Sequence, residues 1–191
     1  MAQSSSGIRD ELVRRHRASV RAVAGALGLA SLLLLVAAVR WIASADGPRT
    51  FGDLIDEMLG RAAPETSSDP VLVMSLWIGV ILLVIGAVSY RRVKFAPVRL
   101  NAVAGLRGAS GLLQTLQQTT VRVALIGAVV AALGFVSSLL TGLFGDMLRA
   151  WLIALAVLAY AYPRRGAWRR VVEATDEADA DAETSAKGTF A

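Results

Sequence analysis

Asp53, Asp56 and Glu57 place three carboxylates within five residues, a density that could hold a cation or work as an acid pair. At helical spacing, however, Phe51, Leu54, Ile55, Met58 and Leu59 recur on the opposite side, and Thr50 with Asp53 three residues on has the form of a capping box. The expectation is a short amphipathic surface helix whose carboxylates form its solvated face, since no histidine or second acidic motif accompanies them. Gly105, Gly108 and Gly111 could suggest a phosphate-cradling loop. Their spacing fits neither the dinucleotide nor the P-loop pattern, and no strand is expected before them. His16, the only histidine, stands between Arg15 and Arg17 and reads as a solvated side chain near lipid headgroups.

Other chemistries fail for want of residues. The chain has no cysteine, which removes thiolate catalysis, disulfides and cysteine metal sites. A proton-coupled exporter needs a carboxylate inside a span and a haem-anchoring bundle needs axial histidines, yet the long apolar runs carry no central Asp or Glu and no histidine. Nucleophile and base pairs and acidic metal clusters are also missing. The chain is therefore expected to be non-enzymatic, with no catalytic residue, metal site or cofactor.

The elements that carry these residues belong to a membrane protein. Of 191 residues, 55% are hydrophobic, and the mean hydropathy is +0.55, above what a soluble domain keeps in solution. A net charge of +5 could point to nucleic acid. The arginines instead gather at the ends of apolar runs, as the positive-inside rule arranges them, so the expected partner is a bilayer with anionic headgroups and not nucleic acid. Abundant alanine and arginine against only Lys94 and Lys187 hint at a GC-rich prokaryotic genome.

The expected fold is all-α: an integral membrane protein with four transmembrane helices in two hairpins and both termini cytoplasmic. Residues 1–21 form a basic cytoplasmic arm. Residues 22–90 form the first hairpin, with spans at 22–42 and 71–90 and an acidic external loop at 44–70. Ala43-Ser44-Ala45 has the form of a signal-peptide cleavage site, but the run before it is longer than a signal core and further spans follow, so an uncleaved anchor is expected. Residues 91–120 form a basic amphipathic connector, and residues 121–163 form the second hairpin, with spans at 121–144 and 147–162. The fourth run is short for a full crossing, yet Arg164, Arg165, Arg169 and Arg170 after it call for a cytoplasmic end. Tyr160, Tyr162 and Trp168 supply interfacial aromatics, and Gly145-Asp146 forms a tight turn in which Asp146 caps the next helix. Residues 164–191 are a basic and then acidic tail, too polar to bury a core and expected to be disordered.

Two finer features concern assembly. Gly127, Ala131, Gly134, Ser138 and Thr141 stack into one seam of small residues, which lets another helix approach closely. In the connector, Val98, Ala102, Leu106, Ala109, Leu113 and Leu116 share a face. The segment is expected to lie on the inner leaflet or on a partner, with Arg91, Arg92, Lys94, Arg99 and Arg107 against headgroups.

The halves also repeat landmarks in order. Ser19-Val20-Arg21 and Thr120-Val121-Arg122 precede apolar runs, Phe51-Gly52-Asp53-Leu54 and Phe144-Gly145-Asp146-Met147 follow them, and Tyr90-Arg91-Arg92 and Tyr162-Pro163-Arg164-Arg165 close them. Duplication of a hairpin gives this order; so do the positive-inside and aromatic-belt rules acting on unrelated halves. In function, the expectation is an interaction or accessory subunit of a membrane complex at the cytoplasmic membrane, bound to other subunits or to itself. The alternative is an oligomeric small-solute permease or channel component, with a polar path lined by Ser75, Ser137 and Ser138.

Overall fold

A computed structural model describes residues 5–43, 51–60, 69–94, 97–163, 166 and 168. Five helices follow in order: α1 (Ser5–Ala43), α2 (Phe51–Met58), α3 (Pro70–Lys94), α4 (Pro97–Thr141) and α5 (Phe144–Ala161). No strand occurs among the described residues. Helices α1, α3, α4 and α5 are each long and apolar enough to cross a membrane.

The helix ends have local causes. Asp69 Oδ1 accepts the Val71 N–H at 2.9 Å and Pro70 takes the first helical position of α3, where a missing N–H costs nothing. Gly142 ends α4 with φ +74°, a conformation that a side chain opposes, and only Leu143 separates it from α5. Gly60 ends α2 in the same way at φ +72°. A two-residue connection forces α4 and α5 into an antiparallel hairpin.

Helix α4 is the axis of the bundle. Half of its apolar window is buried, against 11% for α3, so α4 is the core and α3 an outer helix. Helix α1 runs parallel to α4: Glu11 meets Ser110, Leu12 meets Leu113 and Leu116, Val23 meets Ala124, and Ala30 meets Val130 and Ala131. Helices α3 and α5 run the other way, with Ala87 beside Val123 and Val157, and Val80 beside Val130 and Ala154. Small side chains dominate these contacts, as expected where lipid tails leave close packing as the main force between helices.

At about 1.5 Å per residue, the 39 residues of α1 and the 45 of α4 are far longer than a hydrocarbon core of about 30 Å. Their amino-terminal parts therefore continue past the apolar bundle, and they pack together as a stalk where Glu11 and Leu12 meet Ser110, Leu113 and Leu116. The stalk differs from the sequence expectation of a connector lying apart from the third span. No proline interrupts residues 98–141, so the connector and the span form one unbroken helix, and the glycines weaken it without ending it. The connector's Leu113 and Leu116 do not face lipid: they pack on Leu12 of α1 and on Trp168.

The repeated landmarks occupy comparable levels. Ser19 and Thr120 lie buried on parallel helices, each hydroxyl donating to the carbonyl four residues back, and both Phe-Gly-Asp triplets open helices. The equivalence stops there, because the first triplet opens eight residues and the second opens eighteen.

Candidate functional sites at the two ends of the bundle

At the end where α1 finishes and α5 begins, a polar cap ties three helices together. Glu57 of α2 is 3% exposed. Its Oε1 accepts the indole N–H of Trp41 at 2.7 Å and its Oε2 accepts the backbone N–H of Gly145 at 2.9 Å. Gly145 lies in the first turn of α5, where free N–H groups and the helix dipole favour a negative charge. The solvated position expected for Glu57 is thus corrected: Asp53 and Asp56 are exposed, whereas Glu57 points back into the bundle and caps α5.

Arg149 returns the favour from α5 to α2. Its Nε donates to the carbonyl of Met58 at 2.9 Å and its Nη2 to the carbonyl of Glu57, which also accepts the Gly60 N–H at 3.1 Å, at the carboxyl end of α2. Its Nη1 reaches Asp146 Oδ1 at 3.0 Å. Asp146, 4% exposed, also accepts the hydroxyls of Ser137 and Thr141 at 3.2 and 3.0 Å through Oδ2. Asp146 therefore does not cap α5, as its sequence position suggested; it anchors Arg149 and ties α5 to the end of α4. The helix turns one step earlier, at Gly142 and Leu143.

The close approach of α2 to α5 depends on the absence of a side chain at residue 145. A Cβ on Gly145 would stand 2.9 Å from the carbonyl carbon of Glu57. Trp41 stacks on Phe144 at 5.6 Å between ring centres and covers the junction from the α1 side. The cap thus holds two carboxylates and one guanidinium joined by directed hydrogen bonds. Among the described residues no three ligating side chains converge on a metal position. Such an arrangement can fix the geometry of the junction.

The opposite end carries the second cluster. His16, 8% exposed, has Nε2 at 3.0 Å from the carbonyl oxygen of Pro163 and its ring edge-on to Trp168 at 5.7 Å. Trp168 is 3% exposed and completes the group of Leu12, Leu113 and Leu116. Two sequence readings are corrected here, because His16 is not solvated and Trp168 is not an interfacial ring. Both are buried where the chain returns from α5 across the stalk. Glu11 accepts from Arg15 Nε at 2.9 Å and from Ser110 Oγ at 3.0 Å, which links α1 to α4 above them.

The basic residues expected against headgroups are placed unequally. Arg92 is exposed; Arg91 is half-buried, its guanidinium 4.4 Å over the ring of Tyr160. Lys94 and Arg122 both lie 5.9 Å from the ring centre of Tyr90, whose hydroxyl also accepts from Arg122 at 2.7 Å. The side chains of Arg99 and Arg107 lie outside the described residues, as does the tail beyond Trp168.

The five seam residues are all buried. Gly127 faces Leu158 and Gly134 faces Ala150, so closely that a Cβ built on Gly134 would overlap that of Ala150. Ala131 packs with Ala30 and Ala154, and Thr141 reaches Asp146. Ser137 and Ser138 are buried near the cap, but Ser75 is exposed on α3 and returns its hydroxyl to the carbonyl of Leu72. The three serines are not brought together into one path.

Sequence reasoning missed the Trp41, Glu57 and Arg149 set. The available signal was Arg149, a charge inside an apolar run that membrane burial obliges to find a partner. Comparison of the chain with protein-family models, curated proteins and solved structures finds no match.

Proposed function

We propose that this protein is a non-enzymatic interaction or accessory subunit of a membrane complex. In this reading four helices cross the cytoplasmic membrane, the cap faces outward, and the stalk and both termini stand in the cytoplasm. The distribution of charge supports that orientation. Arg14, Arg17, Arg21, Arg91, Arg92 and Arg122 belong to the stalk end, whereas the cap end sets Arg40 and Arg149 against Asp53, Asp56, Glu57, Asp69 and Asp146.

The observation that carries the functional reading is where the polar groups are. The centre of the bundle is apolar, with Ala30, Val80, Val130, Ala131 and Ala154 buried and Trp77, Trp151 and leucines packed against them, and the buried polar residues lie towards its two ends. A solute path needs a wet or polar lining through the middle. A partner needs surface beyond the bilayer, and the amino-terminal seventeen residues of α1 ahead of its apolar run provide about 25 Å of it.

Extraction in mild detergent followed by native mass spectrometry tests the proposal. The expected result is this chain at a fixed ratio with a different membrane protein, stable through a second purification step. A homo-oligomer that increases neutral-solute flux in vesicles would overturn the subunit reading in favour of the permease.

A further inference from the structure

We propose that the acidic segment after Trp168 docks on a ridge of three arginines on α1, so that the chain covers its own stalk. Arg14, Arg17 and Arg21 are exposed, and steps of three and four residues put them on one face of the helix over a rise of about 10 Å. Arg15, on another face, is already paired with Glu11. None of the three ridge arginines forms an ion pair with a described residue. Exposed Asp10, four residues before Arg14 on the same face, offsets part of this charge, and the remaining excess favours an anionic cover.

The structure places a source of that cover beside them. Trp168 is buried against Leu12 and His16, on the same stretch of α1 as the ridge. His16 and the ridge are separated by about a third of a turn around the helix. After Trp168 come Glu173, Asp176, Glu177, Asp179, Asp181 and Glu183, opposed by Lys187 beyond Arg169 and Arg170. The eight residues from Trp168 to Asp176 can span up to about 27 Å, well over what is needed to pass around one helix about 10 Å across. Tethering makes the encounter intramolecular, so weak pairs act at a high effective concentration.

An anionic lipid surface is the competing cover, and distance disfavours it. Arg21 adjoins the apolar run, but Arg14 stands about 10 Å further along the helix, more than a screening length of about 8 Å at physiological salt. The tail can reach all three arginines. This inference does not depend on which face of the membrane the stalk occupies, because the packing of Trp168 keeps ridge and tail on the same side.

The test uses the full chain in nanodiscs of zwitterionic lipid, with spin labels at Asp10→Cys and Ala182→Cys and pulsed dipolar distances as readout. The expected result is a short-distance population that is lost at about 1 M salt, where the screening length is about 3 Å. It should also be lost in Arg14→Gln/Arg17→Gln/Arg21→Gln. It should be lost again in Asp176→Asn/Glu177→Gln/Asp179→Asn/Asp181→Asn/Glu183→Gln, a variant that leaves α1 unaltered and so decides the matter even if the ridge variant folds poorly. A broad distribution that neither salt nor either variant changes overturns the proposal. A short population that survives the ridge variant also overturns it, assigning the acidic run to Arg169 and Arg170. A broad distribution accompanied by immobilisation of the Asp10 label only when phosphatidylglycerol is present assigns the ridge to lipid, and overturns it too.

Discussion

Gly134→Leu is expected to be among the most damaging single changes in the bundle, lowering stability by at least about 3 kcal/mol, the upper part of the usual overpacking range. Intrinsic helix propensity argues in the opposite direction, since replacing a mid-helix glycine gains about 1 kcal/mol. Packing decides the sign. Even a single Cβ at residue 134 overlaps Ala150 on the facing helix, so α4 and α5 have to separate, and the contacts from Gly127 to Thr141 go with them. Ala132→Leu is the control, because Ala132 is exposed on the same helix and has room for the larger side chain. Thermal unfolding in one detergent compares the two. Equal melting of the variants would mean that α4 and α5 do not meet along this line.

The second large effect is expected at the cap. Glu57→Ala leaves the Trp41 indole and the Gly145 N–H without their acceptor, and hydrogen bonds to a charged group contribute about 1.5–3 kcal/mol each. A total loss of about 3 kcal/mol or more follows, concentrated at the junction of α2 and α5. Arg149→Lys is expected to fail nearly as badly as Arg149→Ala. One ammonium cannot reproduce a planar fork that serves two carbonyls and a carboxylate at once. Hydrogen exchange is the suitable readout, since α2 is a short helix held at this junction and its release is local. Fast exchange of amides 54–58 in both Arg149 variants is the expected result; protection in the lysine variant equal to that of the unaltered chain would show that a point charge suffices.

Much of the architecture was legible because it follows from length and apolar content. Helices long enough to cross a membrane, the short helix beginning at Phe51, and the all-helical class all emerge from periodicity and from the roughly twenty residues that a bilayer demands. The stalk was not legible in the same way. An amphipathic face such as that of Leu113 and Leu116 requires a cover without saying whether lipid, a partner or another part of the chain supplies it, and here Leu12 and Trp168 do.

The cap was hidden for a related reason. Periodicity put Glu57 on the polar face of α2, but a carboxylate at the end of a short helix can turn towards donors that only tertiary structure brings near, and Gly145 lies 88 residues away. His16 misled similarly. Flanking arginines describe its sequence neighbours, whereas the backbone carbonyl of Pro163 and the ring of Trp168 arrive from the far end of the chain. Features set by local composition were readable; features set by which distant group completes a hydrogen bond were not.

In the proposed orientation the cap faces outward and the stalk stands in the cytoplasm. The absence of native cysteine lets single introduced thiols report on it without background. In intact cells, a membrane-impermeant maleimide should modify Ser67→Cys, while Ser185→Cys should react only after the membrane is opened. Reaction of Ser185→Cys in intact cells, with Ser67→Cys protected until permeabilisation, would contradict the account.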